Sequence, residues 1–329
     1  MLGAAALALG LWNAGVPSYW RDEIATISAT GRSIPELFAM LTHVDAVHGL
    51  YYSVMHYWAA VFGTTEAATR AFSAVAVALT VVATAWLGRL LLGAWWGLLA
   101  GALLLALPRT LWAAVEARSS GLGMLLAVVA FAAVTSAVRS RRWWWWAVAG
   151  VAIFATAAVQ VLAVLSFMVL PLALAIQRVD RRCWWSFSLM ATAAGAAFAP
   201  IGLAEIRQGS QVSWIPEFTV ESFWALPQNV LLVAVPEPQW FSWLFVLVPV
   251  GALIVATVNG RLRTEAWRPW AHIALLAGWF GLPVAAVVLG TAVGMDLYVS
   301  RYLAYATPAV ALLMASALSL LRARPAVAA

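Results

Sequence analysis

Ten long apolar runs, set apart by short arginine clusters, govern what this chain can fold into. They cover residues 2–17, 67–88, 94–112, 119–138, 143–158, 160–177, 184–204, 240–258, 271–293 and 302–321. A helix that crosses a bilayer needs about 20 mostly apolar residues, and lipid offers the backbone no hydrogen-bond partner other than itself. The expected fold is therefore an all-α polytopic membrane protein with about ten transmembrane helices and a single transmembrane domain over 1–329. Composition agrees: 64% of the 329 residues are hydrophobic and 10% are charged, against about 25% charged in a soluble domain. An ordinary soluble enzyme is excluded.

All 19 basic residues are arginines, and most of them fall between the apolar runs. The clusters are Arg139, Arg141, Arg142; Arg178, Arg181, Arg182; Arg261, Arg263, Arg268; and Arg322, Arg324. Positive residues are retained on the cytoplasmic side during insertion, so these clusters are expected inside, as are both termini. Parity then places residues 18–66, 113–118, 205–239 and 294–301 outside. No basic stripe interleaved with aromatics marks a nucleic-acid binder despite a net charge of +6. The stretch from His48 to Phe62 would upset parity as a span. Its Tyr51, Tyr52, Tyr57 and Trp58 suit a helix lying at headgroup level in the first external loop. The block 143–177 would extend over roughly 50 Å as one helix, against a hydrocarbon core of about 30 Å, so a tight turn is expected near Ala157–Gln160. The lone Cys183 allows no internal disulfide.

With topology accounting for most arginines, the external ionisable residues become the shortlist for chemistry. Asp22 and Glu23 follow the first apolar run. Carboxylates cost about 2.5–3.5 kcal/mol at a bilayer centre, so this pair belongs at the surface or in a wet cavity, as helix cap or as acid–base group. His43, Asp45 and His48 precede the interfacial helix; their loose spacing fits no standard zinc pattern, and contact with headgroups or sugar hydroxyls is the better expectation. Glu116 and Arg118 are two apart, too close to face each other on a helix, and each is free for another partner. Arg118, and Arg301 with Tyr302 in the loop from Asp296, offer planar donor forks suited to phosphate or to anchoring at the interface. The loop 205–239 carries Glu205, Glu217, Glu221 and Glu237, with Trp214 and Trp224 able to cover a cavity. The chain contains no G-x-x-x-x-G-K-[ST] phosphate loop, no HExxH pair and no GxSxG elbow.

In order, these groups resemble the GT-C superfamily of polyprenyl-phosphate-sugar-dependent glycosyltransferases, in particular the family 39 or PMT-like branch and its actinobacterial mannosyltransferase relatives. The resemblance rests on Asp22–Glu23 after the first span, on His48, Tyr51, Tyr52 and Trp58, and on Phe62, Gly63, Glu66 and Arg70. It continues with Glu116–Ala117–Arg118 and with Arg301–Tyr302–Leu303 followed by Pro308. It is strongest over 18–140. Gly49 stands where the family usually has proline, and Ser120 where it commonly has tyrosine.

The resemblance implies sugar transfer, with mannose as the expected sugar, from a polyprenyl-phosphate donor to an extracytoplasmic glycan, glycolipid or protein acceptor of the cell envelope, with inversion. By position Asp22 is the general base, with Glu23 beside it in the catalytic pair; Arg118 and Arg301 bind the donor phosphate. Glu116, His43, Asp45, His48, Tyr51 and Tyr302 are expected to support or bind substrate. No metal, cofactor or nucleic-acid partner is implied. The alternative is a non-catalytic protein: a lipid-linked-sugar carrier or flippase, or an inactive truncated paralogue.

Overall fold

A computed structural model describes residues 1–233, 239–259, 267–291, 293–295 and 297–322. Glu237, Arg261, Arg263, Asp296 and Arg324 of the sequence expectations lie outside them. The described chain is helical, without strands. It begins with α1 (Leu2–Leu11), α2 (Arg21–Thr30), α3 (Ile34–Leu41) and α4 (Gly49–Phe62), then α5 (Glu66–Leu92), α6 (Ala94–Ala106), α7 (Pro108–Ala114) and α8 (Ser120–Ser140). It continues with α9 (Trp144–Val159), α10 (Ala163–Phe167), α11 (Leu170–Ile176) and α12 (Arg181–Arg207). The last part holds α13 (Val220–Pro227), α14 (Gln239–Val258), α15 (Trp267–Thr291) and α16 (Thr307–Arg322).

The expected ten spans reduce to six helices that are long and apolar enough to cross a membrane, or seven if α6 and α7 form one bent span. The chain is a multi-pass membrane protein. Three of the other apolar runs are broken. Residues 2–17 are helical only to Leu11 and then turn toward Pro17. Within 94–112 the axis bends by 70°, because Leu107, ahead of Pro108, is driven to an extended backbone (φ −75°, ψ 123°). The block 143–177 divides after Val159, where Gln160 leaves the helix (φ −148°, ψ 89°), so the turn falls at the far edge of the expected window. The remainder, 160–177, is two short helices, with Pro171 in the first turn of α11.

Helices α5 and α6 pack at unusually close range. Their joint, Gly93, has φ +99°, a conformation that favours glycine. A Cβ on Gly97 would lie 2.4 Å from the backbone of both Ala85 and Arg89. Gly97 and Gly101 are four apart on α6 and form the small-x-x-x-small face that lets membrane helices touch backbone to backbone. The larger of the two main cores joins α5, α8, α9, α11, α15 and α16 around Phe131 and Trp279, whose rings stack at 4.1 Å.

Charge divides between the two ends of this bundle. At one end Arg139 donates to the Leu90 carbonyl, and Arg141 pairs with Asp180 at 3.1 Å. At the other end α2, the α4 approach and the α7–α8 junction meet. No charged residue interrupts 71–88 of α5 or 120–138 of α8. Helix α4 forms where an interfacial helix is expected, and it buries Tyr51, Tyr52 and Met55 against Ala29, Leu37 and Leu41, leaving Tyr57 and Phe62 outward.

Candidate active site

Glu23 is the hinge on which the site hangs. In the first turn of α2 its carboxylate accepts two hydrogen bonds from Arg70 of α5, Nε to Oε1 at 2.8 Å and Nη2 to Oε2 at 2.7 Å. Oε1 also accepts from the Ala117 backbone N–H at 2.7 Å. Arg70 spends its remaining donors on the carbonyls of Ala14, Pro17 and Ser18. Both side chains are buried, Glu23 at 0% exposure. Burial opposes ionisation of Glu23, yet the hydrogen bonds from Arg70 and Ala117 and the charge of Arg70 hold its carboxyl below the usual range. Glu23 is thus fully committed inside the protein. Its carboxylate does not line the cavity described below.

The residue before it is Asp22. Its Oδ2 pairs with Arg301 Nη2 at 2.9 Å, both side chains about a quarter exposed (23% and 28%). Its backbone carbonyl accepts from Arg118 Nη1 at 3.1 Å. Arg301 enters from the short 3₁₀ turn Ser300–Ala306 ahead of α16 and lies against the Trp20 and Tyr302 rings, 5.4 and 5.7 Å from their centroids. Arg118 Nη2 donates to His48 Nε2 at 3.2 Å. That bond makes Nε2 the acceptor and leaves the proton of the neutral ring on Nδ1. Burial, then the charges of Arg118 and Arg301, push the His48 pKa down to about 3. The residue as a whole is partly buried, but Nδ1 itself has no solvent contact.

These groups border a cavity of about 790 Å³. Its wall includes His48, Glu116, Arg118, Arg301 and Tyr302 at one end and Gln160, Phe198, Glu205 and Gln208 toward α9 and α12. Asp22 does not line it, whereas its ion-pair partner Arg301 does. Glu116 accepts from Trp112 Nε1 at 3.1 Å and Ser120 Oγ at 3.0 Å, and burial raises its pKa. Two donor groups of the wall have buried nitrogens without a partner, His48 Nδ1 and Arg301 Nε. The wall therefore carries two guanidinium groups and an imidazole, with two donor nitrogens that have no protein partner, the chemistry of an anion site.

The remaining expected residues stand apart. His43 is exposed, and its carbonyl accepts from Gln211. Asp45, in a left-handed turn at φ +58°, accepts from the Tyr52 hydroxyl at 3.1 Å. Tyr51 is wholly buried in the small core beneath α4. His43, Asp45 and His48 do not converge, and no group of three His, Cys, Asp or Glu side chains that could hold a metal gathers among the described residues. Gln208 and Gln211 close one side by bonding to the backbone of residues 41–46. Outside the cavity wall, Arg109 donates to the carbonyls of Asn229 and Val230 and to Ser300 Oγ, beside Arg301. These three residues escaped the sequence reading because nearly all their partners are backbone carbonyls and amides, which carry no residue-type signal.

No protein-family model and no curated protein sequence matches the chain. Solved structures do. ArnT from Cupriavidus metallidurans, bound to undecaprenyl phosphate, superposes with a TM-score of 0.61 at 19% identity, over 98% of this chain and 60% of that one. The Archaeoglobus fulgidus oligosaccharyltransferase, in complex with Zn and sulfate, superposes with a TM-score of 0.62 at 14% identity, over 98% of this chain and 49% of that one. The chain thus spans about half to three fifths of the length of these neighbours. Both neighbours are glycosyltransferases of the same architecture, and this chain has the GT-C fold.

Proposed function

We propose that the chain is a membrane glycosyltransferase whose cavity receives a polyprenyl-phosphate sugar on the extracytoplasmic side and passes the sugar, mannose by its family 39 resemblance, to a cell-envelope acceptor. One observation carries the proposal. The cavity with Arg118 and Arg301 at one end shares Phe198 with an apolar groove of about 330 Å³, lined by Phe154, Phe167, Met168, Phe187 and Met190 between α9, α11 and α12. A chamber with two guanidinium groups at one end, set beside an apolar groove, suits an amphipathic donor, phosphate in one and isoprenoid in the other. The shared fold with a structure holding undecaprenyl phosphate supports the same donor class.

The chemistry follows from the charges. An acceptor hydroxyl attacks the anomeric carbon; its proton passes to Asp22, and the bond between the sugar and the phosphate oxygen breaks with its electron pair leaving on polyprenyl phosphate. A single in-line displacement inverts the anomeric centre. The growing negative charge meets Arg118 and the free Nε edge of Arg301. Arg301 holds Asp22 by Nη2, and a donor phosphate competes for that guanidinium, so donor binding unmasks the base. Glu23 and Glu116 keep Asp22 and Arg118 in place. A carrier would need a polar path through the midplane, where α5 and α8 are uncharged.

The test is Asp22→Asn in membranes supplied with radiolabelled polyprenyl-phosphate mannose. The variant should insert and melt like the wild type while transfer falls by about a hundred- to ten-thousandfold, the range for loss of a general base. Full transfer by this variant removes Asp22 as base.

A further inference from the structure

Glu205 lies in the cavity wall, and neither the fold nor the transfer scheme uses it. It sits two residues before the end of α12, on the face that sends Phe198, Gly202 and Ile206 into the same cavity. Both carboxylate oxygens are shielded from solvent, and neither has a hydrogen-bond partner. No described cation stands within ion-pair distance of it. Buried polar atoms are almost always paired, and an unpaired acceptor in a cavity wall is costly to the empty protein. Such a group is retained against that cost when a ligand completes it.

The rest of the wall says what kind of ligand. The His48–Arg118–Arg301 end is rich in donors, two guanidinium groups and an imidazole N–H, while Glu116 there already accepts from Trp112 and Ser120. Glu205 is an acceptor in the same volume, toward α12. A molecule that satisfies both ends carries an anion on one side and hydrogen-bond donors on the other, which describes a sugar phosphate. We infer that Glu205 is a sugar-recognition residue, accepting hydrogen bonds from pyranose hydroxyls while the phosphate occupies the arginine end. This rests on the donor class proposed above for its phosphate end alone; hydroxyls of an acceptor sugar would offer the same chemistry.

Binding to the full chain in lipid nanodiscs separates the sources, with three probes: polyprenyl phosphate, polyprenyl-phosphate mannose and methyl α-mannoside. Glu205→Ala should bind the sugar-free lipid as the wild type does and lose about ten- to a hundredfold in affinity for the mannosylated lipid, the scale of one or two hydrogen bonds to a charged group. A loss seen only with methyl α-mannoside assigns the hydroxyls to the acceptor. Unchanged affinity for both sugar-bearing probes overturns the inference. If the wild type binds neither lipid yet loses methyl α-mannoside binding on Glu205→Ala, the donor reading fails and the sugar site stands. Glu205→Leu supplies a readout that a structural role would reverse: the empty protein should melt higher, relieved of an unpaired carboxylate, while sugar discrimination disappears. A lower melting temperature with equal loss of all three probes would assign Glu205 to the fold and overturn the inference.

Discussion

The Glu23–Arg70 pair allows a quantitative test of how the site is held. Arg70→Met removes two hydrogen bonds to Glu23 and three to backbone carbonyls, and leaves a buried carboxylate with the Ala117 and Trp20 N–H groups alone. Breaking one side of a buried ion pair costs about 3–5 kcal/mol, and with so little solvent at either side chain the upper half of that range applies. Glu23→Leu should cost less, because Arg70 keeps the carbonyls of Ala14, Pro17 and Ser18. In the double variant no uncompensated charge remains, so its loss should fall short of the sum of the singles by about 2–3 kcal/mol. Unfolding by SDS in mixed micelles, followed by circular dichroism, gives all four corners of the cycle. Additivity within about 0.5 kcal/mol would refute the account of Glu23 as a charge held by Arg70. The sign of the pH dependence gives a second check. The folded carboxyl titrates below its unfolded value, so its contribution is present above about pH 4.5 and is lost as pH falls through the lowered folded value; the double variant should lack that loss.

Arg301→Ala should weaken binding of polyprenyl phosphate by about tenfold or more, the scale of one charge-assisted hydrogen bond, and leave acceptor affinity unchanged in the same binding assay. An equal effect on both ligands would remove it from the phosphate end. Gly97→Ala should destabilise the chain by about 1–3 kcal/mol, since its Cβ would meet backbone rather than a movable side chain; thermal melting reads this directly. His48 titrates in the unfolded chain near 6.5 and in the folded one near 3, so the unfolded state binds the extra proton and stability falls as pH drops below about 6.5. His48→Gln should flatten that fall by about 1.4 kcal/mol per pH unit between pH 6 and 4, and an unchanged slope would show that the ring is not held neutral.

The helical class was legible because lipid leaves the backbone few choices. The number of spans was not, since a run of apolar letters does not show where the axis breaks. Pro108 and Pro171 carried that signal for two of the broken runs. At the site, Asp22, Arg118, Arg301 and His48 were legible as ionisable residues outside the apolar runs, and the structure brings them together. Arg70 was noted only as part of the resemblance, because nothing in the sequence reveals that it reaches Glu23. Glu205 was assigned to a loop, yet α12 continues through Arg207; Glu205 and Arg207 end the apolar run before the helix ends. His43 and Asp45 share residue type with functional groups but answer to local geometry, the one exposed and the other tied to Tyr52.

The contact between Asp22 and Arg301 joins residues near opposite ends of the chain, and Gln208 and Gln211 reach back to residues 41–46 from beyond its middle. A ribosome delivers these partners far apart in time. Asp22 must wait without its counter-ion until the stretch before α16 emerges and turns. The Asp22–Arg301 contact is thus closed in one late step of biogenesis, and on the function proposed above a nascent chain lacking that stretch has no assembled site with which to consume donor.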